Sequence, residues 1–344
     1  MKKLVQIVVL VLMLFPIAAY CTEWEPMNNP LSNTDGSLTG IWGTSRDDVY
    51  AVGEHQALGI ILHFNGRSWS IQRKARKDFA GVWGSSKYNV YVGGTDIIGA
   101  SSGFGYWHFR PQIDLSTYCF VISVGGICND MLMTGYCYDK GLSTSSGFVI
   151  RYSRVRGARM LGGPSEALEY NNVEVYSAEA HDVNAPYYGF DGTIYDVWTY
   201  ENVAYFVAGD SGMMKYNGRW MNSIPVDTKK IKAIWGSDLE NIFLAGKTGK
   251  IVRCNIEANP PIITIENPIT DVDLSDVWGS SPNDVYAVGS YGTILHFDGK
   301  TWSQMDSGIE ASLLGVWGES GGDVFAVGYE GTILCKKALS ATLR

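Results

Sequence analysis

The chain is poor in the features that mark most enzymes. It has five histidines in 344 residues, and it has no Gly-x-Ser-x-Gly elbow, phosphate-binding loop or His-Glu-x-x-His motif. Charged residues account for only 18% of the sequence, which is low for a soluble domain. These absences disfavour the enzyme classes that carry a local motif. They do not disfavour glycosidases, because paired carboxylates leave no local signature.

Metal and cofactor motifs are missing as well. The six cysteines are spaced too widely for a Cys-x-x-Cys metal site, and no histidine lies near them in sequence. We therefore expect no metal site and no cofactor. Cys119, Cys128 and Cys137 fall in one repeat unit, so we expect a disulfide among them, with the pairing left open.

The first 21 residues predict a signal peptide. Lys2 and Lys3 precede an apolar run at 4–19, and polar residues follow. The expectation is a periplasmic or secreted protein whose single mature domain spans 22–344. The alternative is membrane association, through an uncleaved signal or a lipid on Cys21. Loss of the two lysines changes the formal net charge from −8 to −10, which disfavours nucleic acid as a partner.

Tryptophan carries the strongest pattern in the chain. Six of the eleven close a short apolar run, and four stand in a second slot 14 to 18 residues earlier. Such recurrence predicts a repeat architecture. The first slot holds Trp42, Trp83, Val124 in place of a tryptophan, Trp198, Trp235, Trp278 and Trp317. The second slot holds Trp24, Trp69, Trp220 and Trp302.

The repeat unit is clearest at 274–303. It contains four short runs rich in β-branched and aromatic residues, bounded by Gly, Ser, Asn or Asp, which predicts four strands, a to d in chain order. Strands c and d are joined by Asp298-Gly299, and Asn65-Gly66 and Asn217-Gly218 fill the same joint elsewhere. These dipeptides are typical of tight hairpins. The unit is therefore an antiparallel four-stranded sheet in an all-β protein.

The spacing of the first slot predicts seven sheets. Its steps are 41, 41, 74, 37, 43 and 39 residues. Within the long step, the distance from the end of strand c to the next first-slot residue exceeds that of the clean repeat by 26 residues. This is less than a whole unit, so we interpret it as an insertion at about 156–193. A seven-bladed β-propeller accounts for this pattern, with eight blades as the alternative. A strand at 22–25 would complete the last blade, which ends at 333–336.

Polar residues that recur with the repeat are interpreted as scaffold. His63, His108 and His296 share one predicted position on strand c, and six Asp or Asn residues stand in the turn before strand b. Such side chains can accept hydrogen bonds from the turn backbone. A catalytic residue tends to occur once, so we assign no catalytic residue.

One face of the predicted propeller varies more than the other. The d–a and b–c connections share this face, and the b–c connections of the first three units are long, at 54–58, 95–103 and 136–147. Because function concentrates in long loops, we predict a binding surface here. Its basic run is Arg73, Lys74, Arg76 and Lys77.

The insertion adds aromatic and polar candidates to the same face. Tyrosine-rich loops supply rigid amphipathic contact area, and the alternative is that these rings only pack on the blade rims. The candidate binding residues there are Tyr170, Tyr176, His181, Asp182, Tyr187 and Tyr188.

The repeat resembles those of known propeller families. Val-Tyr-Ala-Val-Gly at 285–289 and Asp-Gly-Lys-Thr-Trp at 298–302 are similar to repeats of bacterial exported propellers of the photosystem II assembly-factor-like family. They also resemble the Asp-box repeats of sialidase-type propellers, although Asp298-Gly299 lacks the intervening residue of an Asp-box and no sialidase arginine cluster is recognisable. The first resemblance implies a non-enzymatic helper of membrane complexes.

These observations lead to two functional hypotheses. The first is an exported, non-catalytic propeller that binds a protein or cell-envelope partner through the d–a/b–c face. The alternative is a carbohydrate-active propeller, a glycosidase or a lectin, that uses the same face.

Overall fold

The structure of the chain is a computed structural model. It describes residues 24–94, 97–101, 107–111, 119–127, 129–139, 144–153, 157–162, 190–191, 193–209, 212–217, 220–224, 226–227, 229–266 and 269–338. These ranges form strands and turns, with a short 3₁₀ turn at Lys247–Gly249. No helix within them has the length and apolar character that a membrane-spanning helix needs.

The strands assemble into seven antiparallel sheets, and the protein is a seven-bladed β-propeller, as predicted. Each blade keeps its strands in the order a, b, c, d, and blade 3 has one short additional strand beside strand c.

The strand that completes blade 7 is β1 (Glu25–Pro26). Blade 1 contains β2 (Ser37–Ser45), β3 (Asp48–His55), β4 (Leu58–Phe64) and β5 (Trp69–Ala75). Blade 2 contains β6 (Gly81–Ser86), β7 (Asn89–Gly94), β8 (Ile97–Ser101) and β9 (Trp107–Pro111). Blade 3 contains β10 (Cys119–Ile127), β11 (Asp130–Asp139), β12 (Thr144–Ser153), β13 (Gly157–Gly162) and β14 (Phe190–Asp191). Blade 4 contains β15 (Ile194–Tyr200), β16 (Val203–Ala208), β17 (Gly212–Tyr216) and β18 (Trp220–Ile224). Blade 5 contains β19 (Ile231–Asp238), β20 (Asn241–Gly246), β21 (Ile251–Asn255) and β22 (Ile262–Ile265). Blade 6 contains β23 (Leu274–Ser281), β24 (Asp284–Gly289), β25 (Ile294–Phe297) and β26 (Trp302–Met305). Blade 7 contains β27 (Leu313–Gly318), β28 (Val324–Gly328) and β29 (Ile333–Lys336).

The seven a strands form a closed inner ring. Each of them contacts the a strand of both flanking blades, and β27 of blade 7 contacts β2 of blade 1. The ring closes through β1, which pairs with β29 so that Glu25 lies opposite Cys335. Trp24 is fully buried, and its ring centroid lies 6.0 Å from that of Tyr286 in blade 6. The predicted completion of the last blade by the N-terminal strand is therefore confirmed.

Adjacent blades are joined by a tryptophan ring that lies on a glycine. The slot tryptophan of one a strand covers the glycine after the slot in the next blade, and a Cβ added to Gly279 would lie 2.7 Å from the Trp235 ring. Any side chain there would displace the ring, so the position requires glycine. The six pairs are Trp317 on Gly43, Trp42 on Gly84, Trp83 on Gly126, Trp198 on Gly236, Trp235 on Gly279 and Trp278 on Gly318.

The slot of blade 3 is occupied by Gly125, and its assignment to Val124 was wrong by one residue. The Trp83 ring covers Gly126, which fixes Gly126 as the residue after the slot. Gly125 has no side-chain ring that could cover blade 4. The residue after the slot of blade 4 therefore need not be glycine, and it is Thr199.

The strands of blade 2 differ from the predicted ones. The predicted b–c loop at 95–103 is mostly strand c, namely β8. His108 therefore lies on the outer strand β9 rather than on strand c. On strand c of blade 2, Ala100 occupies the position that corresponds to His63 in blade 1. Trp107 opens β9 and occupies the second slot, so all eleven tryptophans belong to the repeat.

The recurring Asp and His residues hold the turn before strand b. The His296 ring nitrogen Nε2 lies 2.7 Å from Oδ1 of Asp284, and the hydroxyl of Ser280 donates to the same carboxylate. His63 lies at the same distance from Asp48 in blade 1. These contacts tie strands a, b and c together within a blade, which supports the interpretation of both residue types as scaffold.

We expect Gly279→Ala to lower the free energy of unfolding by about 1–3 kcal/mol, the usual cost of overpacking, because the added methyl group meets the Trp235 ring. Chemical denaturation followed by tryptophan fluorescence measures the loss. Thr199→Ala is the matched control, since no ring covers that position, and it should cost less than about 1 kcal/mol. Equal losses in the two variants would contradict the proposed joint.

Candidate functional site

In blades 1 and 3, the b–c side of the propeller is built by long strands rather than by open loops. β3 and β4 extend to His55 and Leu58, and only Gln56 and Ala57 separate them, both with positive φ of 53° and 58°. β11 and β12 are ten residues each. The predicted loops at 54–58 and 136–147 thus consist largely of paired strands, so hydrogen-bonded hairpins form this face in blades 1 and 3.

A concave surface of about 440 Å³ lies on this face between blades 1 and 2. We call it the basic pocket. Its volume is within the range of ligand-binding pockets. Among the described residues that line it, none carries a carboxylate, a histidine ring or a nucleophile. Its lining residues are Leu58, Arg73, Lys74, Ala75, Arg76 and Ile97.

The pocket contains three of the four basic residues predicted from the sequence. Arg73 and Lys74 lie near the end of β5, which ends at Ala75, and Arg76 and Lys77 follow the strand; all four are exposed. The side chains of Lys74 and Arg76 have no hydrogen bond or ion pair with any other residue that the structure describes. A concentration of positive charge on an acidic protein attracts anionic groups.

The floor of the basic pocket is apolar. Ala75 and Ile97 pack against the core between blades 1 and 2, which includes Tyr50, Phe79 and Val92. An occupant would therefore meet cationic side chains at the rim and an apolar surface below. This combination fits an extended segment that alternates acidic and apolar side chains.

Gly59 at the start of β4 sets the path of the chain beside the pocket. The carbonyl of Lys77 lies so close to Gly59 that a Cβ there would overlap it, and the Phe79 ring lies next to the same position. The segment after β5 consequently crosses over Gly59. This crossing keeps Arg76 at the edge of the pocket.

The other predicted site residues lie outside the described residues. They are Tyr170, Tyr176, His181, Asp182, Tyr187 and Tyr188. The same applies to the predicted signal peptide and to Cys128. The expected insertion at 156–193 begins later than predicted, because β13 at 157–162 pairs with β12 as the outer strand of blade 3. Across β10 and β11, the backbone of Cys119 lies opposite that of Cys137.

A second polar cluster, on the inner strands, was missed by the sequence analysis. Asp196 accepts hydrogen bonds from the hydroxyl of Ser123 (2.6 Å) and from the N–H of Ile234 (2.9 Å). Asp276 accepts one from the N–H of Val316 (2.8 Å). Each carboxyl group thus binds the a strand of the next blade, and Asp196 also contacts that of the preceding one.

Both carboxyl groups are surrounded by protein, and this changes their protonation. Burial raises the pKa of Asp196 to about 6. Burial also raises the pKa of Asp276 to about 7, and the negative charge of Asp196 adds to the rise. As whole residues, the two aspartates keep some solvent-accessible surface. Hydrogen bonds from backbone N–H groups oppose the shift in each case.

The sequence did contain a signal for this cluster, as a departure from the repeat. Both aspartates stand two residues before the slot tryptophan, where the other blades have small residues. The position holds Gly40, Gly81, Ser123, Asp196, Ala233, Asp276 and Gly315. Two of the seven blades thus have an aspartate at a position where the other five have Gly, Ser or Ala. This position lies within strand a, so the aspartates are not there to form a turn.

Comparison with known proteins shows the fold. No protein-family model matches the sequence, and no curated protein matches it. Among solved structures, YCF48 bound to a D1 peptide is similar with a TM-score of 0.62 and 14% identity over 91% of this chain and 96% of that one. YCF48 from Cyanidioschyzon merolae is similar with a TM-score of 0.62 and 16% identity over 91% and 98%. Virginiamycin B lyase from Staphylococcus aureus is similar with a TM-score of 0.64 and 14% identity over 92% and 99%. Identities this low leave activity and partners open.

We expect Asp276 to make the free energy of unfolding fall as the pH rises from about 4 to about 7, because its carboxyl group is still protonated in the folded state when the unfolded carboxyl has ionised. In Asp276→Asn this fall should be smaller by more than about 1 kcal/mol. Urea denaturation at several pH values measures it. The exposed Glu310→Gln serves as control, and a pH dependence of Asp276→Asn equal to that of the wild type would contradict the assignment.

Proposed function

We propose that this chain is an exported, non-catalytic β-propeller that binds an acidic segment of a protein or cell-envelope partner in the basic pocket. The observation that carries the proposal is the placement of Arg73, Lys74 and Arg76 around one concave surface with an apolar floor. The chain has a formal net charge of −8, so this positive site stands out from its surroundings. Opposite charges across an interface speed association and select the partner.

The architecture of the pocket favours an extended segment over a compact small molecule. The pocket follows β5 along the outer part of blade 1 and reaches the start of β8 in blade 2. Acidic side chains of a segment lying along it could reach Lys74 and Arg76 while apolar side chains contact Leu58 and Ile97. A propeller of similar fold, YCF48, has been solved with a D1 peptide bound, which supports peptide binding as a use of this architecture.

We expect the double variant Lys74→Glu/Arg76→Glu to lose at least about tenfold in affinity for a short fluorescent peptide in which glutamate and leucine alternate, because it replaces attraction by repulsion. Fluorescence anisotropy at low ionic strength measures binding. Added salt should weaken the wild-type complex, since the charges are exposed and screened.

The matched control is Lys87→Glu/Lys300→Glu, which reverses two exposed lysines in turns of the opposite face. It changes the net charge equally and should bind as the wild type does. If both double variants lose affinity alike, net charge rather than the basic pocket attracts the peptide. Crosslinking in cell envelopes, carried out with the wild type and the two variants, identifies the natural partner. It is the protein that is recovered with the wild type and the control variant but not with Lys74→Glu/Arg76→Glu.

One observation supports the alternative function, a carbohydrate-active propeller. Asp196 and Asp276 are two carboxyl groups with raised pKa on the inner strands of blades 4 and 6, on either side of blade 5, and an acid and base pair also needs shifted pKa values. All four of their oxygens, however, accept hydrogen bonds from backbone N–H groups or Ser123. This bonding gives them a role between blades. The binding proposal is therefore preferred.

The same proposal includes export, which rests on the sequence of the first 21 residues. We expect the mature chain from an envelope fraction to begin at Thr22, and intact-mass spectrometry measures this directly. A chain that retains Lys2 and Lys3 would contradict cleavage. A mass that includes a lipid on Cys21 would support the anchored alternative.

A further inference from the structure

The outer strand of blade 5 exposes an apolar stripe. In β22, Ile262 is 58%, Ile263 38% and Ile265 69% exposed, and Ile269 beyond the strand is 40% exposed. The fourth residue of the strand, Thr264, is exposed as well. Single exposed apolar residues need no explanation, whereas a contiguous group marks an interaction surface.

This strand departs from the other outer strands of the propeller. Ile263 stands opposite Cys254, at the place where blade 6 pairs Trp302 with Phe297. The outer strand of blade 1 exposes Arg73 and Lys74 instead. Proteins commonly protect sheet edges with charge or proline within the strand, and β22 contains neither.

The backbone of β22 offers a second feature of a docking edge. It pairs with β21 on one side, and no other strand among the described residues pairs with its outer side. Such an edge presents N–H and C=O groups to an added strand, while alternate side chains contribute specificity.

We propose that β22 binds an extended, β-branched apolar segment of a partner protein, flanked by basic residues, which adds to blade 5 as a fifth strand. Charge favours this occupant. Glu257 precedes the strand, Glu266 and Asp271 follow it, and the sequence has no lysine or arginine between Arg253 and Lys300. A partner with basic flanks would complement these carboxylates.

The size and charge of the stripe argue against a second copy of this chain. A stable interface between globular proteins buries about 800 Å² on each partner, which is far more than a four-residue strand and one further isoleucine can offer. Two copies paired through β22 would also bring Glu257 and Glu266 of both chains together at the ends of the pairing. This surface goes beyond the proposed function, because the basic pocket lies in blades 1 and 2.

The test uses a short fluorescent peptide with a core of valine, isoleucine and threonine and lysine at both ends, followed by fluorescence anisotropy. We expect binding by the wild type and at least about tenfold weaker binding by Ile265→Lys, which places a charge on the edge. Ile265→Val should keep the affinity. Tyr329→Lys, at an exposed tyrosine in blade 7, is the matched control and should bind like the wild type, as should Lys74→Glu/Arg76→Glu.

Two further probes examine the pairing itself. A peptide with N-methyl groups on alternate backbone nitrogens cannot donate to β22, and a peptide with glutamate at both ends meets repulsion; each should bind at least about tenfold more weakly. Equal binding of either probe, or unchanged binding by a folded Ile265→Lys, would overturn the proposal. Self-association that Ile265→Lys abolishes would identify a second copy as the occupant and overturn it too.

Discussion

The propeller depends on tryptophan rings that pack directly against glycine in the next blade. A four-stranded sheet of this size buries too little on its own, so each blade is stable only against its neighbours. At six joints the contact is the same, as between Trp235 and Gly279. The joint between blades 3 and 4 lacks both partners, since Gly125 and Thr199 stand there. A hydrogen bond from Ser123 to Asp196 spans it instead, so a polar contact takes the place of the ring.

The two faces of the propeller differ in the hydrogen bonds that hold their connections. Hydrogen bonds such as those of Asp48 with His63 recur on the face of the a–b and c–d turns, and they hold those turns to one geometry. On the opposite face, blades 5, 6 and 7 repeat a backbone hydrogen bond, such as that from the N–H of Ser290 to the carbonyl of Asp273, whereas the b–c connections of blades 1 to 3 differ in length. The chain after β5 crosses over Gly59 just as the corresponding segments cross over Gly249, Gly292 and Gly331. The basic side chains that this segment carries distinguish blade 1 and form the basic pocket.

The blade count, the closing strand and the basic run could be predicted from the sequence, because each follows from periodicity or local composition. The slot of blade 3 could not, since Gly125-Gly126 leaves the register ambiguous until the Trp83 ring is placed. His108 was assigned to strand c because blade 2 has no Asn-Gly or Asp-Gly joint to mark its hairpin. The pairing of Asp196 with the next blade is a contact over 38 residues, beyond any local pattern.

The closing strand has a consequence for the order of folding. A chain synthesised from its N-terminus presents β1 early, yet the partner of β1 is β29, close to the other end of the described chain. Contacts between such distant segments form slowly, because a long loop must first be closed. Until they form, blade 7 lacks a strand, Trp24 has no burial site, and the ring is open. Blades 1 to 6 can therefore assemble as a curved stack before the last strand turns that stack into a circle.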